Sequence, residues 1–205
     1  MGNDTIKQKI ITESIELFMS YGLRSVTMDD IAKHLGISKK TIYQHFKDKE
    51  EIIFLATAMH FEKEHKIMEE IENDTDNAVE QLYNITVCIR ERTKKTNSSV
   101  LFDLKKYYKR AWENYQRYKH DTIFNSVYNN LKRGIAEGLF RSDINPEILA
   151  YLRIGQIELS FNKEYFPEDK FTLGEIHEQL LAHYTHGILS EKGFKLLETY
   201  KQKAI

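Results

Sequence analysis

Cysteine is all but missing from this chain, with Cys88 alone among 205 residues. An internal disulfide framework is therefore excluded, as is a zinc site built on several cysteines. Proline and glycine are scarce at two and nine. So little punctuation argues against a many-stranded sheet, which needs frequent turns, and favours long helices. An excess of either charge is lacking too. The formal net charge is −1, so the molecule is no general coater of nucleic acid, and any DNA affinity must come from a local patch. No window is apolar enough to span a membrane. The start, Met1 to Thr5, is polar and leads to Lys7 and Lys9 without a signal-peptide core, so the cytoplasm is the expected compartment. The G-x-G-x-x-G, P-loop and H-E-x-x-H patterns are absent. The expectation is accordingly no enzyme, no catalytic residues, no cofactor and no metal.

What is present is apolar residues in helical register. They make up 41% of the chain, enough for a sizeable core. Ile6, Ile10, Ile11, Ser14, Phe18 and Tyr21 share one face of a first helix ended by Gly22. Thr27 with Asp30 resembles a capping box that opens a second helix, stopped by Gly36. Ser38 caps a short third helix through His45. Lys49 opens a long fourth helix to about Ile71, with Glu50 and Glu51 near its positive end. After a polar break at 73–77, periodicity predicts helices over 78–92, 100–108, 112–137, 146–161, 173–189 and 192–200. The chain reads as all-α, with no repeat and no low-complexity tract.

The segment from Thr27 to Lys49 carries the chemistry. Gly36 supplies a turn tolerant of positive φ, Ala32 permits close helix approach, and Leu35, Ile37 and Ile42 can bury the inner faces. The third helix then leaves Lys39, Lys40, Thr41, Tyr43, Gln44 and His45 outside, able to enter a major groove. Lys49, at a helix N-terminus, suits a phosphate. From Ser38 to Lys49 the cations are Lys39, Lys40, Lys47 and Lys49, against the single acid Asp48. A small helical bundle with a solvated lysine face would share the bare geometry of two helices joined at a glycine.

The ordered string is more specific than that geometry. Ile10-Ile11, Leu17-Phe18, Tyr21-Gly22, Ser25-Val26-Thr27 and Asp30-Ile31-Ala32 lead into Leu35-Gly36-Ile37-Ser38-Lys39-Lys40-Thr41-Ile42-Tyr43-Gln44-His45-Phe46 and Lys47-Asp48-Lys49-Glu50. From Ile10 to Ile53 the sequence resembles the N-terminal domain of the TetR (tetracycline-repressor) family of bacterial regulators. The resemblance implies that Thr27, Thr41, Tyr43, His45 and Lys49 hold the DNA backbone and that Lys39, Lys40 and Gln44 face bases. Lys40 departs from the glycine, proline or alanine of many members, and Ser14 stands where alanine is usual.

The same resemblance implies a helix-turn-helix DNA-binding domain over 1–47. A long fourth helix would join it to a helical effector-binding and dimerisation domain over 48–205. Late echoes of the family occur at 134–141 and 186–193. Two late helices are expected to form a four-helix dimer interface through Leu149, Leu152, Gly155, Leu159, Ile176, Leu180, Tyr184 and Ile188. Ile157 and Gly187 lie on the same helices. An effector pocket is expected among dense aromatics, with Phe61, Tyr83, Thr86, Phe102, Trp112 and Tyr128 its candidates; core packing is the competing account of each. Cys88 is expected to be a small buried residue. His183 and His186, three apart, share a face, and with His177 form a weak metal candidate. The expected partners are a double-stranded operator, a second copy of the chain and an unidentified small molecule, with no membrane. The expected function is an effector-released repressor on a palindromic operator. A helical protein-interaction module, or an activator without an effector, is the alternative.

Overall fold

The computed structural model describes residues 2–94 and 96–203. Its helices are α1 (Gly2–Tyr21), α2 (Met28–Leu35), α3 (Lys39–Tyr43), α4 (Lys49–Asn73), α5 (Ala78–Thr93), α6 (Val100–Tyr107) and α7 (Lys109–Tyr118). A π-helical stretch (Lys119–Phe124) precedes α8 (Asn125–Ala136), α9 (Pro146–Ser160), α10 (Leu173–Ile188) and α11 (Glu191–Lys203). Among the described residues there is no strand, and one isolated antiparallel bridge joins Phe140 and Leu189. No helix is long and apolar enough to cross a membrane among the described residues.

Most helix starts follow side-chain capping. Thr27 and Asp30 form a reciprocal capping box on α2, and Thr172 and Glu175 form another on α10. Ser38, Asn77 and Asn145 accept from the first free amides of α3, α5 and α9. These bonds satisfy donors that a helix start leaves unpaired. Two expectations need correction. The third helix stops at Tyr43 rather than His45. The single helix expected over 112–137 starts at Lys109 and is interrupted by the π-helical stretch. Wider i→i+5 bonding shifts the helix faces there. Thr122 is buried as a result, with its hydroxyl 2.9 Å from Nδ1 of His65.

The chain packs as two compact units. The first comprises Met1–Glu64 and Lys95–Tyr118. Its core holds Ile10, Ile11, Leu17 and Phe18 of α1, Ile31 and Ala32 of α2, Ile42 of α3, and Ile52, Ile53 and Ala56 of α4. Leu104 of α6 and Ala111 of α7 complete it. Ile6 and Tyr21, expected on the inner face of α1, are exposed. Polar bonds tie α6 and α7 to this unit. The Asn97 amide donates to the Met19 carbonyl (2.7 Å), and Asn114 Nδ2 donates to the Phe54 carbonyl (2.9 Å) and to Thr57 Oγ1 (3.1 Å).

Ser14 is fully buried in this core, and its hydroxyl has no hydrogen-bond partner. A buried orphan hydroxyl costs about 1–3 kcal/mol, and alanine is also the better helix former. Ser14→Ala is therefore expected to stabilise the chain by about 1 kcal/mol. Urea unfolding would register this as a higher midpoint at unchanged slope; a lower midpoint would show that the hydroxyl is satisfied.

The second unit comprises His65–Lys94 and Lys119–Ile205. Its core gathers Ala78, Val79 and Leu82 of α5, Leu131 of α8, Ala150 of α9, Leu181, Tyr184 and Ile188 of α10, and Leu197 of α11. The echoes at 134–141 and 186–193 meet here in one knot. Phe140 lies over Gly134, and the Leu139 carbonyl lies against Gly193. Ser190 Oγ donates within reach of the Gly138 and Leu139 carbonyls (2.9 and 3.0 Å). Gly138, at φ +67°, turns the chain between them.

Candidate nucleic-acid interface

Three short elements build the site. Gly36, at φ +66°, ends α2 and donates its amide to the Lys33 carbonyl (3.2 Å), while Ile37 donates to Ala32 (3.0 Å). Left-handed backbone of this kind favours glycine. Ser38 Oγ then accepts from the Thr41 amide (3.0 Å) and meets the Thr41 hydroxyl at 2.8 Å. Ile42 and Phe46 are buried, so the opposite side of α3 faces outward. Lys40, Tyr43 (50% exposed) and Gln44 occupy that outer side, and His45 is half-buried beside Phe46.

The side chains at the rim of this surface are engaged within the chain. Lys39 Nζ reaches Asp29 Oδ2 at 2.8 Å, and that hydrogen bond raises the lysine pKa. Lys39 is thus tied to α2 rather than free like Lys40. Thr27 Oγ1 donates to Asp30 Oδ2 (2.7 Å), and this bond and the Thr27 amide hold the Asp30 carboxyl below the usual range. Lys49 is half-buried, with Nζ on the Arg24 carbonyl at 3.3 Å. Burial lowers its pKa, and the nearby Asp103 opposes that shift. The start of α4 is partly filled by its own acids. Asp48 Oδ1 accepts from the Glu51 amide (2.9 Å), and Glu51 Oε2 accepts from the Lys47 amide (2.7 Å). The phosphate expectation at α4 therefore has fewer open amides than its position suggests, and the Lys49 ammonium is the main donor there.

Residues far along the chain join this region. Asp103 of α6 is buried and accepts from the Arg24 amide at 3.4 Å. Arg24 Nη1 is 3.4 Å from the Tyr107 hydroxyl, with the guanidinium 4.5 Å from that ring's centre. Sequence reasoning missed α6 here. The basic run around Tyr107 is visible in the string, but nothing local announces its neighbour some eighty residues earlier.

Residues 10–56 match the model of the bacterial regulatory proteins, tetR family. A relative matched over nearly its whole length is the HTH-type transcriptional regulator YvaF of Bacillus subtilis strain 168, itself uncharacterized. It is 26% identical over 188 residues, covering 90% of this chain and 96% of that one. The crystal structure of a TetR-family transcriptional regulator from Agrobacterium tumefaciens shares the fold. Its TM-score is 0.74 at 15% identity, over 92% of this chain and all of that one. Residues 10–56 are thus a TetR-type helix-turn-helix domain. Over a shorter stretch it is 33% identical to the biofilm operon icaADBC negative transcriptional regulator IcaR of Staphylococcus aureus. That match covers 78 residues, 38% of this chain and 42% of that protein. The helix-turn-helix is thus a DNA-binding element of a transcriptional regulator, and the chain's fold is all-α.

Elsewhere in the chain, several expected site residues fall differently. On α10, Ile176, Tyr184 and Ile188 are buried within their own unit, so they are core and not an outward dimer face. Leu149 of α9 also packs against that core. Apolarity alone could not tell whether an apolar stripe meets its own chain or a second copy. The outward stripe runs through Ile148, Leu152 and Gly155 of α9, with Leu159 and Leu180 half-buried. Space is open above both Gly155 and Gly187. Behind the stripe, Arg153 is 3% exposed, its guanidinium 5.6 Å from the centre of the Tyr184 ring and Nη1 3.4 Å from Gln156 Oε1. Burial pulls its pKa down to about 10 and pushes the Tyr184 hydroxyl up.

The effector candidates divide between the units. Phe61, Phe102 and Trp112 belong to the first, and Tyr83, Thr86 and Tyr128 to the second. Phe61 stacks on Tyr118 with ring centres 4.9 Å apart, and Trp112 tilts against Tyr115 at 5.0 Å. Phe102 is a correction: it is 50% exposed, with Lys106 Nζ 5.1 Å from its ring centre, so it lines no enclosed space. Thr86 donates to the Leu82 carbonyl (2.7 Å), and Tyr128 stacks on Phe124 at 5.8 Å. Tyr83 lines an open groove of about 600 Å³ with Ile67, Ile71, Asn84, Val87 and Cys88. Cys88 is half-buried there rather than enclosed, and that burial raises its thiol pKa.

His177 is buried and its Nε2 lies 2.8 Å from Ser160 Oγ. Burial first, and then Arg153, draw its pKa down to about 4, so the ring is neutral at ordinary pH. His183 and His186 are exposed. No group of His, Cys, Asp and Glu among the described residues could hold a metal ion.

Proposed function

We propose that this chain represses transcription as a homodimer on a palindromic operator and leaves it when a small molecule occupies the C-terminal region. The observation that carries the reading is the outer side of α3. It is capped at Ser38, anchored by Ile42 and Phe46, and presents Lys40, Tyr43 and Gln44 to solvent. An α-helix of this kind fits the major groove, where lysine and glutamine address base edges. Thr27, Thr41, Tyr43, His45 and Lys49 are proposed for the phosphates on either side, with Lys39 released from Asp29 on docking. Similarity to a negative regulator supports repression. We assign 1–47 to DNA binding and 48–205 to effector binding and dimerisation, with helix packing of the first unit running beyond that line.

Pairing is supported by the exposed Ile148, Leu152 and Gly155 of α9, beside half-buried Leu159 and Leu180. Exposed apolar side chains next to open glycines allow close helix packing. Two recognition helices about 34 Å apart then read half-sites one DNA turn apart. The groove beside Tyr83 is the proposed effector entry. Release is a population shift, in which the effector favours the conformation whose α3 helices miss successive grooves.

A mobility-shift assay on DNA upstream of the chain's own gene tests the reading, with complex mass measured by sedimentation. The expected complex holds two protomers, and transcription from that fragment falls when the chain is added. A complex with one protomer removes the dimer from the proposal, and a rise in transcription assigns activation instead.

A further inference from the structure

The exposed cations of the first unit are not confined to α3. Lys105, Lys106, Lys109 and Arg110 fall within six positions at the end of α6 and the start of α7, and all four are exposed. In a chain of net charge −1 this is a local concentration, not an average. The acid on α6, Asp103, is buried and turned to the Arg24 amide. Three of the cations lie over rings rather than beside carboxylates. Lys105 Nζ is 5.8 Å from the Trp112 ring centre, Lys106 Nζ is 5.1 and 5.4 Å from those of Phe102 and Tyr107, and the Arg110 guanidinium is 4.4 Å from that of Phe54. Rings hold a cation in place while leaving its outer side hydrated and free for an anion.

This surface is continuous with the DNA-binding element. Lys49 Nζ meets the Arg24 carbonyl, and the Arg24 guanidinium covers the Tyr107 ring. Arg24 therefore bridges the proposed phosphate donor of α4 to the cations of α6 within one compact unit.

We infer that Arg24 and the cations at the α6–α7 junction form a second phosphate-binding surface that grips duplex DNA flanking the operator core. The inference rests on the docking of α3 proposed above. Its chemistry is sequence-independent: it adds affinity and salt dependence without base readout. An acidic protein is the competing occupant. Duplex DNA is favoured because the surface adjoins the residues that would already hold its backbone.

The test uses the full chain and two duplexes from the DNA upstream of its gene. One is trimmed to the operator core, the palindromic half-sites that α3 would read, and the other keeps about ten more base pairs, one helical turn, on each side. The wild type is expected to bind the longer duplex about tenfold more tightly. K105Q/K106Q loses that gain and binds the short duplex as the wild type does. On the long duplex the slope of log affinity against log salt becomes shallower by about 2 per protomer. K105R/K106R keeps the gain. Equal slopes and equal affinities of K105Q/K106Q and wild type on the long duplex overturn the inference, as does an equal loss on both duplexes. Loss of the gain in K105R/K106R also overturns it, by marking the lysine stems as packing elements. Failure of the docking reading looks different: Tyr43→Ala then leaves affinity for both duplexes unchanged.

Discussion

Tyr43→Ala combined with Lys49→Ala is expected to lower affinity for the operator by at least about a hundredfold while the chain stays folded. Tyr43 is half exposed on the outer side of α3 and contributes nothing to the buried core. Lys49 is half-buried at the start of α4 and donates to the Arg24 carbonyl. A hydrogen bond to a charged group contributes about 1.5–3 kcal/mol, so two lost phosphate contacts cost about 3 kcal/mol or more. That corresponds to at least two decades in affinity, at about 1.4 kcal/mol each. Fluorescence anisotropy on the upstream duplex reads the loss, and thermal unfolding checks that the helices persist. Operator affinity within about threefold of wild type, against that expectation, would rule out the assigned docking.

Gly134→Ala carries a large expected structural effect. A Cβ at this position would fall among the ring carbons of Phe140, which is itself buried. The ring cannot retreat, because the Phe140 and Leu139 amides both donate to the Gly134 carbonyl at 2.9 Å and Phe140 belongs to the core. Alanine would return about 1 kcal/mol of helix propensity. Overpacking of a rigid contact costs up to about 3 kcal/mol and occasionally more, so the clash outweighs the gain. A net loss of about 2 kcal/mol should lower the melting temperature by roughly 4–8 °C in a chain of this size. Gly134→Ala with Phe140→Leu should recover part of it, since the two sites share one contact. A single variant that melts with the wild type would show that the ring has room to move.

The contrast between α3 and α10 shows why some roles were legible and others were not. On α3, local chemistry settles the outcome: Gly36, the Ser38 cap and the single inward Ile42 leave one possible outer side. On α10, Leu173, Ile176, Leu181, Tyr184 and Ile188 are all buried within the protomer, and half-buried Leu180 lies one turn from Ile176 and Tyr184 on the same side. An apolar stripe carries no local mark of whether it meets its own chain or a second copy. Phe102 failed for a similar reason. An aromatic in a short amphipathic helix fits a cavity or a surface equally well until its neighbours are known. The interruption at Lys119–Phe124 left no signal either, because it contains neither proline nor glycine.

By itself the sequence determined an all-α chain, the capped helix starts, the helix-turn-helix and its resemblance to the DNA-binding domain of a family of regulators. These depend on spacings of a few residues, where backbone geometry leaves little choice. Only the tertiary structure decided that Lys39 is tethered to Asp29, that Ile176, Tyr184 and Ile188 point inward, and that the echoes at 134–141 and 186–193 form one knot. It alone brought α6, with its cations, beside Arg24 and Lys49. Those outcomes depend on contacts between residues tens of positions apart, set by burial of the whole core rather than by any local preference.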